Sequence, residues 1–383
     1  MKILTVDIGT GTQDIFLYDS QLHIENGFKL VVPSPTMIVH RQVKAATQSR
    51  TPILLTGVMM GGGPSAWAVE AHARAGLPVY ATPKAAKTLN DELDKVRESG
   101  IEIVSENEAA ALPETVQRIE FRDFNLPAIQ TALSPFGIDL SDLDAIAVAV
   151  FDHGDAPPGV SDRQFRFDYL DQRIREKDSL SAFAYLADDI PPIMTRLQAV
   201  ADSAGELPCP LIVMDTAPAA VLGASFDPTV AKRKNKIITN IGNFHTLAFR
   251  MGEDGIEGVF EHHTGEIDLQ KLETLLRALA NGSLKHEDVF GDMGHGALMY
   301  SQAVFEFGAD EFDVVVTGPR RSMYADGPSL RPYFAAPFGD MMIAGCFGLL
   351  AATAEVMPNL AEAIYGSMRG ERGHGVAPWD ASS

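Results

Sequence analysis

Acids near the ends of apolar strands, turns of glycine and threonine, and a scatter of histidines are the parts of this chain that could do chemistry. Asp7 stands near the end of the apolar run at residues 3–8 and leads into Gly9-Thr10-Gly11-Thr12-Gln13. Such a turn offers backbone amides and hydroxyls to phosphate oxygens with little side-chain bulk, and an acid beside it can hold Mg²⁺, usually through water. The plainer alternative is that Asp7 caps its own turn, although an acid in an apolar strand needs a partner. A second turn, Asn240-Ile241-Gly242-Asn243-Phe244-His245-Thr246, can close on the same phosphates, with Phe244 and His245 bulky for that task. A third, Gly61-Gly62-Gly63, runs into a helix at Pro64. Its amides and the helix N-terminus could hold a substrate carboxylate or phosphate. It lacks the Lys-Ser/Thr of a P-loop and the dinucleotide spacing, so a plain tight turn is the competing reading.

Histidines supply a rival chemistry. Of ten, His153 follows Asp152 at the end of an apolar strand, His245 lies in the second turn, His262-His263 end a strand, and His295 sits in Asp292-Met293-Gly294-His295-Gly296. If Asp152, His153, His245 and one more met in a cleft, they would suit zinc or ferrous iron. For each ring alone a hydrogen-bonded structural role is the alternative.

Positioning these groups takes a particular succession of elements. Strands are expected at 3–8, 14–18 and 29–32, then a helix at 35–48 with Ser34 as cap and Pro35 first. A strand at 53–56, a helix at 64–75, a charged helix at 84–98, a strand at 145–151, a Pro/Gly loop at 156–160 and helices over 175–204 follow. The order then restarts: strand 211–214, small-residue helix 215–224, strands 237–242, 246–251 and 258–262, helix 268–280, strand 314–317, a short strand at 332–336 and a helix at 339–356. Two α/β lobes, 1–210 and 211–365, fit this duplication of architecture, which no exact sequence repeat accompanies. Residues 366–383, with four glycines and two terminal serines, are expected to fray.

Composition bounds the partners. The 383 residues suffice for two compact domains, and 46 % hydrophobic with 21 % charged residues excludes wholesale disorder. The formal net charge is −20, which repels nucleic acid and anionic membranes; Lys232-Arg233-Lys234 is the densest basic cluster, and a solvated loop explains it. Two cysteines, Cys209 and Cys346, cannot build a disulfide framework, a four-thiolate zinc site or a three-cysteine iron–sulfur motif. The N-terminus has no signal-peptide apolar region, and the nearly apolar stretch 343–354 is too short to span a bilayer. A cytoplasmic protein acting on a small molecule is the expectation, with the oligomeric state open.

Five segments, in this order, resemble the actin-like ATPase superfamily of sugar kinases, acetate kinases, actins and heat-shock chaperones. Residues 6–12 are similar to its first phosphate loop, 215–224 to its first connecting helix, and 239–246 to its second phosphate loop. Val315-Val316-Thr317-Gly318-Pro319-Arg320-Arg321 resembles the adenosine loop, and 338–346 the second connecting helix. The chain is also similar to an archaeal and bacterial branch labelled pyruvate formate-lyase activating enzyme-like, whose radical cluster the cysteine count does not support. The resemblance implies two ribonuclease-H-like lobes around a central cleft, with ATP and Mg²⁺ as cofactors and phosphotransfer to a small metabolite, or ATP hydrolysis, as the activity. It gives Asp7 to the metal, residues 9–13 and 240–246 to phosphate, Gly318, Arg320 and Arg321 to the nucleoside, and Asp215 to the acceptor proton, where an N-cap is the alternative. Arg320 and Arg321 stack on adenine, pair with phosphate, or are surface charges after a turn. Asn240 stands where chaperones and actins carry an aspartate, a departure shared by sugar kinases and favouring transfer over hydrolysis. Other activities open at this point are a metal-dependent hydrolase or transferase using the histidines, and a non-catalytic activator whose nucleotide-driven closure signals to a partner enzyme.

Overall fold

The computed structural model describes residues 1–371 other than Asp326. Its first sheet is seeded by the hairpin of β1 (Lys2–Ile8) and β2 (Thr12–Asp19), to which β3 (Phe28–Pro33) adds antiparallel. A second, parallel sheet is inserted next, from β4 (Ile53–Gly57), β5 (Val79–Ala81), β6 (Glu102–Ile103) and β7 (Gln117–Phe121) in the order β6-β5-β4-β7. The chain then returns to the first sheet as β8 (Ala145–Val150), β9 (Ala184–Leu186) and β10 (Leu211–Asp215), completing the order β3-β2-β1-β8-β10-β9. Strand β8 reads Ala-Ile-Ala-Val-Ala-Val and is buried at every position, as a central parallel strand covered on both faces must be.

The third sheet repeats the plan. β11 (Lys236–Ile241), β12 (His245–Met251) and β13 (Ile256–His263) form an antiparallel meander, β14 (Gly296–Met299) extends it, and β15 (Val314–Thr317) and β16 (Pro332–Phe334) add in parallel on the other side. Three antiparallel strands followed by two parallel ones, in the same spatial order in both sheets, make the two ribonuclease-H-like lobes expected from the sequence.

Several expectations need correction. Residues 211–214 do form a strand, but it pairs with β8, so the second lobe does not begin at 211. The helix Asp162–Lys177, although placed in the first lobe by sequence, packs Phe167, Leu170 and Ile174 against Phe249 and Val259 of the second. The charged segment 84–98 is two short helices, Pro83–Ala86 and Leu93–Glu98, and the stretch 175–204 contains β9. The tail is ordered further than expected, since Pro358–Met368 is a helix that buries Leu360, Ile364 and Met368 against the first lobe; residues 372–383 lie outside the described residues. Among the described residues no helix is long and apolar enough to cross a membrane.

Two helices connect the lobes and set the cleft. Thr216–Ala224 leaves β10, and Ala344–Val356 returns from the second sheet to bury its length on the first. They cross through glycines: a Cβ at Gly223 would fall on the Ala344 carbonyl oxygen, and one at Gly348 on that of Ala219. Backbone cannot retreat as a flexible side chain can, so Gly223→Ala should destabilise the fold by about 1–3 kcal/mol in chemical denaturation. A change below about 0.5 kcal/mol would show that the crossing can relax at no cost.

Candidate functional site

A cavity of about 1000 Å³ opens between the lobes and the inserted sheet. The turn after β1 projects Gly9, Thr10 and Thr12 into it, held by Ser34, whose hydroxyl donates to Thr10 O at 2.6 Å and whose N–H donates to Gly11 O at 3.2 Å. The turn after β11 faces it from the second lobe. Gly242 N–H closes that turn on His245 O at 2.9 Å, and the Asn243 side chain packs directly on Gly11, so that a Cβ there would have to displace its amide. Gly318 and Pro319 line the same cavity beside Asn240, Met341 and Met342. The sequence-selected turns of both lobes therefore meet.

Asp7 lies between them. Its Oδ1 accepts from Thr216 Oγ1 at 2.6 Å, and Gly345 leaves space against Oδ2 that any side chain would fill. Directly opposite in the hairpin register is Asp14, whose Oδ1 is buried without a hydrogen-bond partner. Burial pushes the Asp7 carboxyl up to about 6, the Thr216 hydroxyl opposing and Asp215 adding to it. Burial and the neighbouring Asp7 push Asp14 up to about 8. Two facing, desolvated carboxyls without a basic partner form a site that a divalent cation would complete.

Other assignments change. Asp215 is not a free base: it is absent from the cavity wall, its Oδ1 accepts from Ala217 N at 2.9 Å as a helix cap, and its Oδ2 accepts from Arg166 Nη1 at 2.6 Å. Asp152 lines the cavity, but its carboxylate already accepts the N–H groups of Gly154, Arg196 and Leu197 at 2.8–2.9 Å, and it stands outside the histidine group that could share an ion. His153 turns its Nδ1 to Gly154 O at 3.1 Å and stands outside the histidine group that could share an ion. Arg320 and Arg321 do not line the cavity, Arg320 being exposed and Arg321 lying over the Phe334 ring. Gln13 donates to Pro33 O and Thr246 pairs with the Thr264 hydroxyl, and neither lines the cavity. Gly61, Gly62 and Gly63 do line the cavity, with the Gly61 amide already donating to Asp123 Oδ1 at 3.1 Å.

A third group converges where β12, β13 and β14 end at the cleft. His245 and His263 are cross-strand partners, and His295, just before β14, donates its backbone N–H to Glu261 O at 2.9 Å. The ligand nitrogens of the three rings lie within 4.8 Å of one another, and all three rings line the cavity. Burial is the chief cause that lowers all three below the usual histidine range, with His263 adding to it at His245, His245 at His295, and His262 at His263. Behind them Phe151 stacks on His245 at 4.1 Å, and the Arg166 guanidinium covers the other face of Phe151 at 3.9 Å from the ring centre. Arg166 is itself buried between Asp215 and Glu261, donating Nη2 to Glu261 Oε2 at 2.8 Å and Nη1 to Asp152 O at 2.8 Å.

Sequence reasoning missed Asp14, Arg166 and Glu261. Asp14 carried a signal, since counting back across a tight hairpin turn puts it opposite Asp7. Arg166 and Glu261 carried none, being 95 positions apart in sequence and joined only by the packing of one lobe's helix on the other's sheet.

No curated protein matches the sequence. Among solved structures, the chain matches a ROK hexokinase from Thermus thermophilus at 11 % identity over 67 % of this chain and 47 % of that one, with a TM-score of 0.23, so it spans about half the hexokinase's length. It matches the ethanolamine utilization protein EutJ from Carboxydothermus hydrogenoformans at 11 % identity over 91 % and 89 % of the two chains, with a TM-score of 0.28. A carbohydrate kinase from Novosphingobium aromaticivorans matches at 10 % identity over 97 % and 91 %, with a TM-score of 0.23. The family described as "Putative pyruvate format-lyase activating enzyme (DUF1786)" matches residues 60–323, more than half of the sequence, and the chain belongs to that family.

Proposed function

We propose that this protein is an ATP- and Mg²⁺-dependent phosphotransferase, or an ATPase, that acts on a small metabolite in the cleft between its lobes. The observation that carries this reading is Asp7: a buried carboxyl facing Asp14, with one turn from each lobe meeting beside it. Asp7 and Asp14 would hold Mg²⁺, and the ion would neutralise phosphate charge that a chain of net charge −20 cannot meet with general electrostatic attraction. Gly9 and Gly242 spend their amides on their own turns, so phosphate binding falls to the backbone and hydroxyls of Thr10 and Thr12 and to Asn243. Pro319, Met341, Met342 and Ala220 offer the apolar walls a purine needs, which replaces the stacking role first given to Arg320 and Arg321. The metabolite would lie between Gly61–Gly63 and the loop at 152–163, which rim the far end of the cavity. The activating-enzyme description of the family agrees with nucleotide-driven closure acting on a partner better than with radical chemistry, because only Cys209 and Cys346 are present.

The test is a thermal-shift titration with Mg-ATP and Mg-ADP. Ligand at 100 times its Kd stabilises the folded state by about 2.7 kcal/mol, so a saturable rise in Tm is expected that needs both nucleotide and Mg²⁺. A flat Tm at millimolar concentrations of both nucleotides would overturn the proposal.

A further inference from the structure

Nothing in the nucleotide reading uses the three histidines at the end of the second sheet. They come from β12, β13 and the residue just before β14, 18 and 32 positions apart, yet their ring centres are 4.7–5.2 Å from one another. Stacking alone is a poor explanation, because the rings meet at 38–83° with their nitrogens gathered together, and no hydrogen bond joins one ring to another. His295 Nδ1 is buried with no hydrogen-bond partner and lies 3.5 Å from Glu261 Oε1. A buried imidazole with one nitrogen turned to a carboxylate is how metal-bound histidines are commonly oriented.

We propose that His245, His263 and His295 bind one Zn²⁺ ion through their imidazoles, with a fourth position open to the cavity. The chemistry of the donors selects the ion. Neutral imidazoles suit zinc, whereas Mg²⁺ and Ca²⁺ require oxygen ligands. Non-haem iron sites add a carboxylate, and the nearest one, Glu261, is occupied by Arg166. A zinc ion about 2.1 Å from each nitrogen would set them about 3.4 Å apart, reached from the present spacing by small ring rotations. The strand ends, Phe151 and Glu261 fix the rings on three sides, and the cavity supplies the fourth. An open position there would take water or an anionic oxygen of the molecule in the cleft. This site is separate from the Asp7–Asp14 pair and does not depend on nucleotide binding.

The test uses the full chain, stripped with a chelator and titrated with Co²⁺ alone as the spectroscopic stand-in, then with Zn²⁺ in competition, without nucleotide or Mg²⁺. Expected are one equivalent of Co²⁺ with the visible bands of a four-coordinate nitrogen site, displacement by Zn²⁺, and a band shift when thiocyanate fills the open position. His245→Ala, His263→Ala and His295→Ala should each weaken binding by about 100-fold or more, and Glu261→Gln by about 10-fold. Asp7→Asn and His262→Ala should leave it unchanged. Circular dichroism checks each variant's fold, and His→Gln replaces any Ala variant that does not fold. Absence of binding tighter than about 10 μM, binding that survives in folded His263→Ala/His295→Ala protein, or binding lost in Asp7→Asn would overturn the site.

Discussion

Arg166→Met is expected to cost the folded state about 3–5 kcal/mol in chemical denaturation. The residue is buried and donates to Asp215, Glu261 and the Asp152 carbonyl. Methionine fills much of the volume and carries no donor, so two buried carboxylates would lose their counter-charge at once. The loss comes from those abandoned charges, and it should therefore shrink when they are removed as well. Arg166→Met combined with Asp215→Asn and Glu261→Gln should recover at least half of the deficit, which additive contributions would not allow. Failure of the triple variant to recover any stability would mean that the guanidinium matters for packing on Phe151 and not for charge. The position has a second consequence, since Asp215 and Asp152 belong to the first lobe and Glu261 to the second. Arg166 clasps the back of the cleft, and its loss should also raise the susceptibility of the loop at 152–163 to proteolysis.

How much of this was legible beforehand follows from the range of the interactions. The hairpin at Asp7, the capped helix at Pro35–Gln48 and the glycine turns were readable because strand alternation, caps and turn residues act over a few positions. The lobe boundary was not readable at 211, because an apolar strand looks the same whichever sheet it joins. The inserted sheet went unseen for a similar reason: β5 and β6 are three and two residues long, too short for a period to show. Asp215 shows the limit most plainly. Its place at a strand end before a small-residue helix suited a base and a cap equally, and only the arrival of Arg166 from another element decides for the cap. His263 and His295 were visible as residues, but their meeting with His245 depends on strand register in a meander with a long excursion before β14.

Asp7→Asn should separate catalysis from stability, because the two are expected to move in opposite directions. Asparagine keeps the shape of the side chain and can still accept from Thr216, so the turn after β1 should stay in place. It removes the negative charge that would hold the cation, and ATP turnover should fall about 10³-fold, equivalent to about 4 kcal/mol of transition-state stabilisation. The chelator-treated protein should respond the other way. The Asp7 carboxyl is held at about 6, above its ordinary value of 3.8, chiefly by burial. The folded state therefore binds its proton more tightly than the unfolded chain, and stability falls as pH rises from about 4 to about 6. At pH 7.5 that penalty is fully present, and Asp7→Asn should remove it, raising metal-free stability by about 1–3 kcal/mol. Adding Mg²⁺ should narrow the gap, since only the parent carboxylate regains its charge partner. A variant that lost turnover and metal-free stability together would assign Asp7 to the framework of the hairpin. One that kept turnover would remove it from the site, whatever nucleotide the cleft binds.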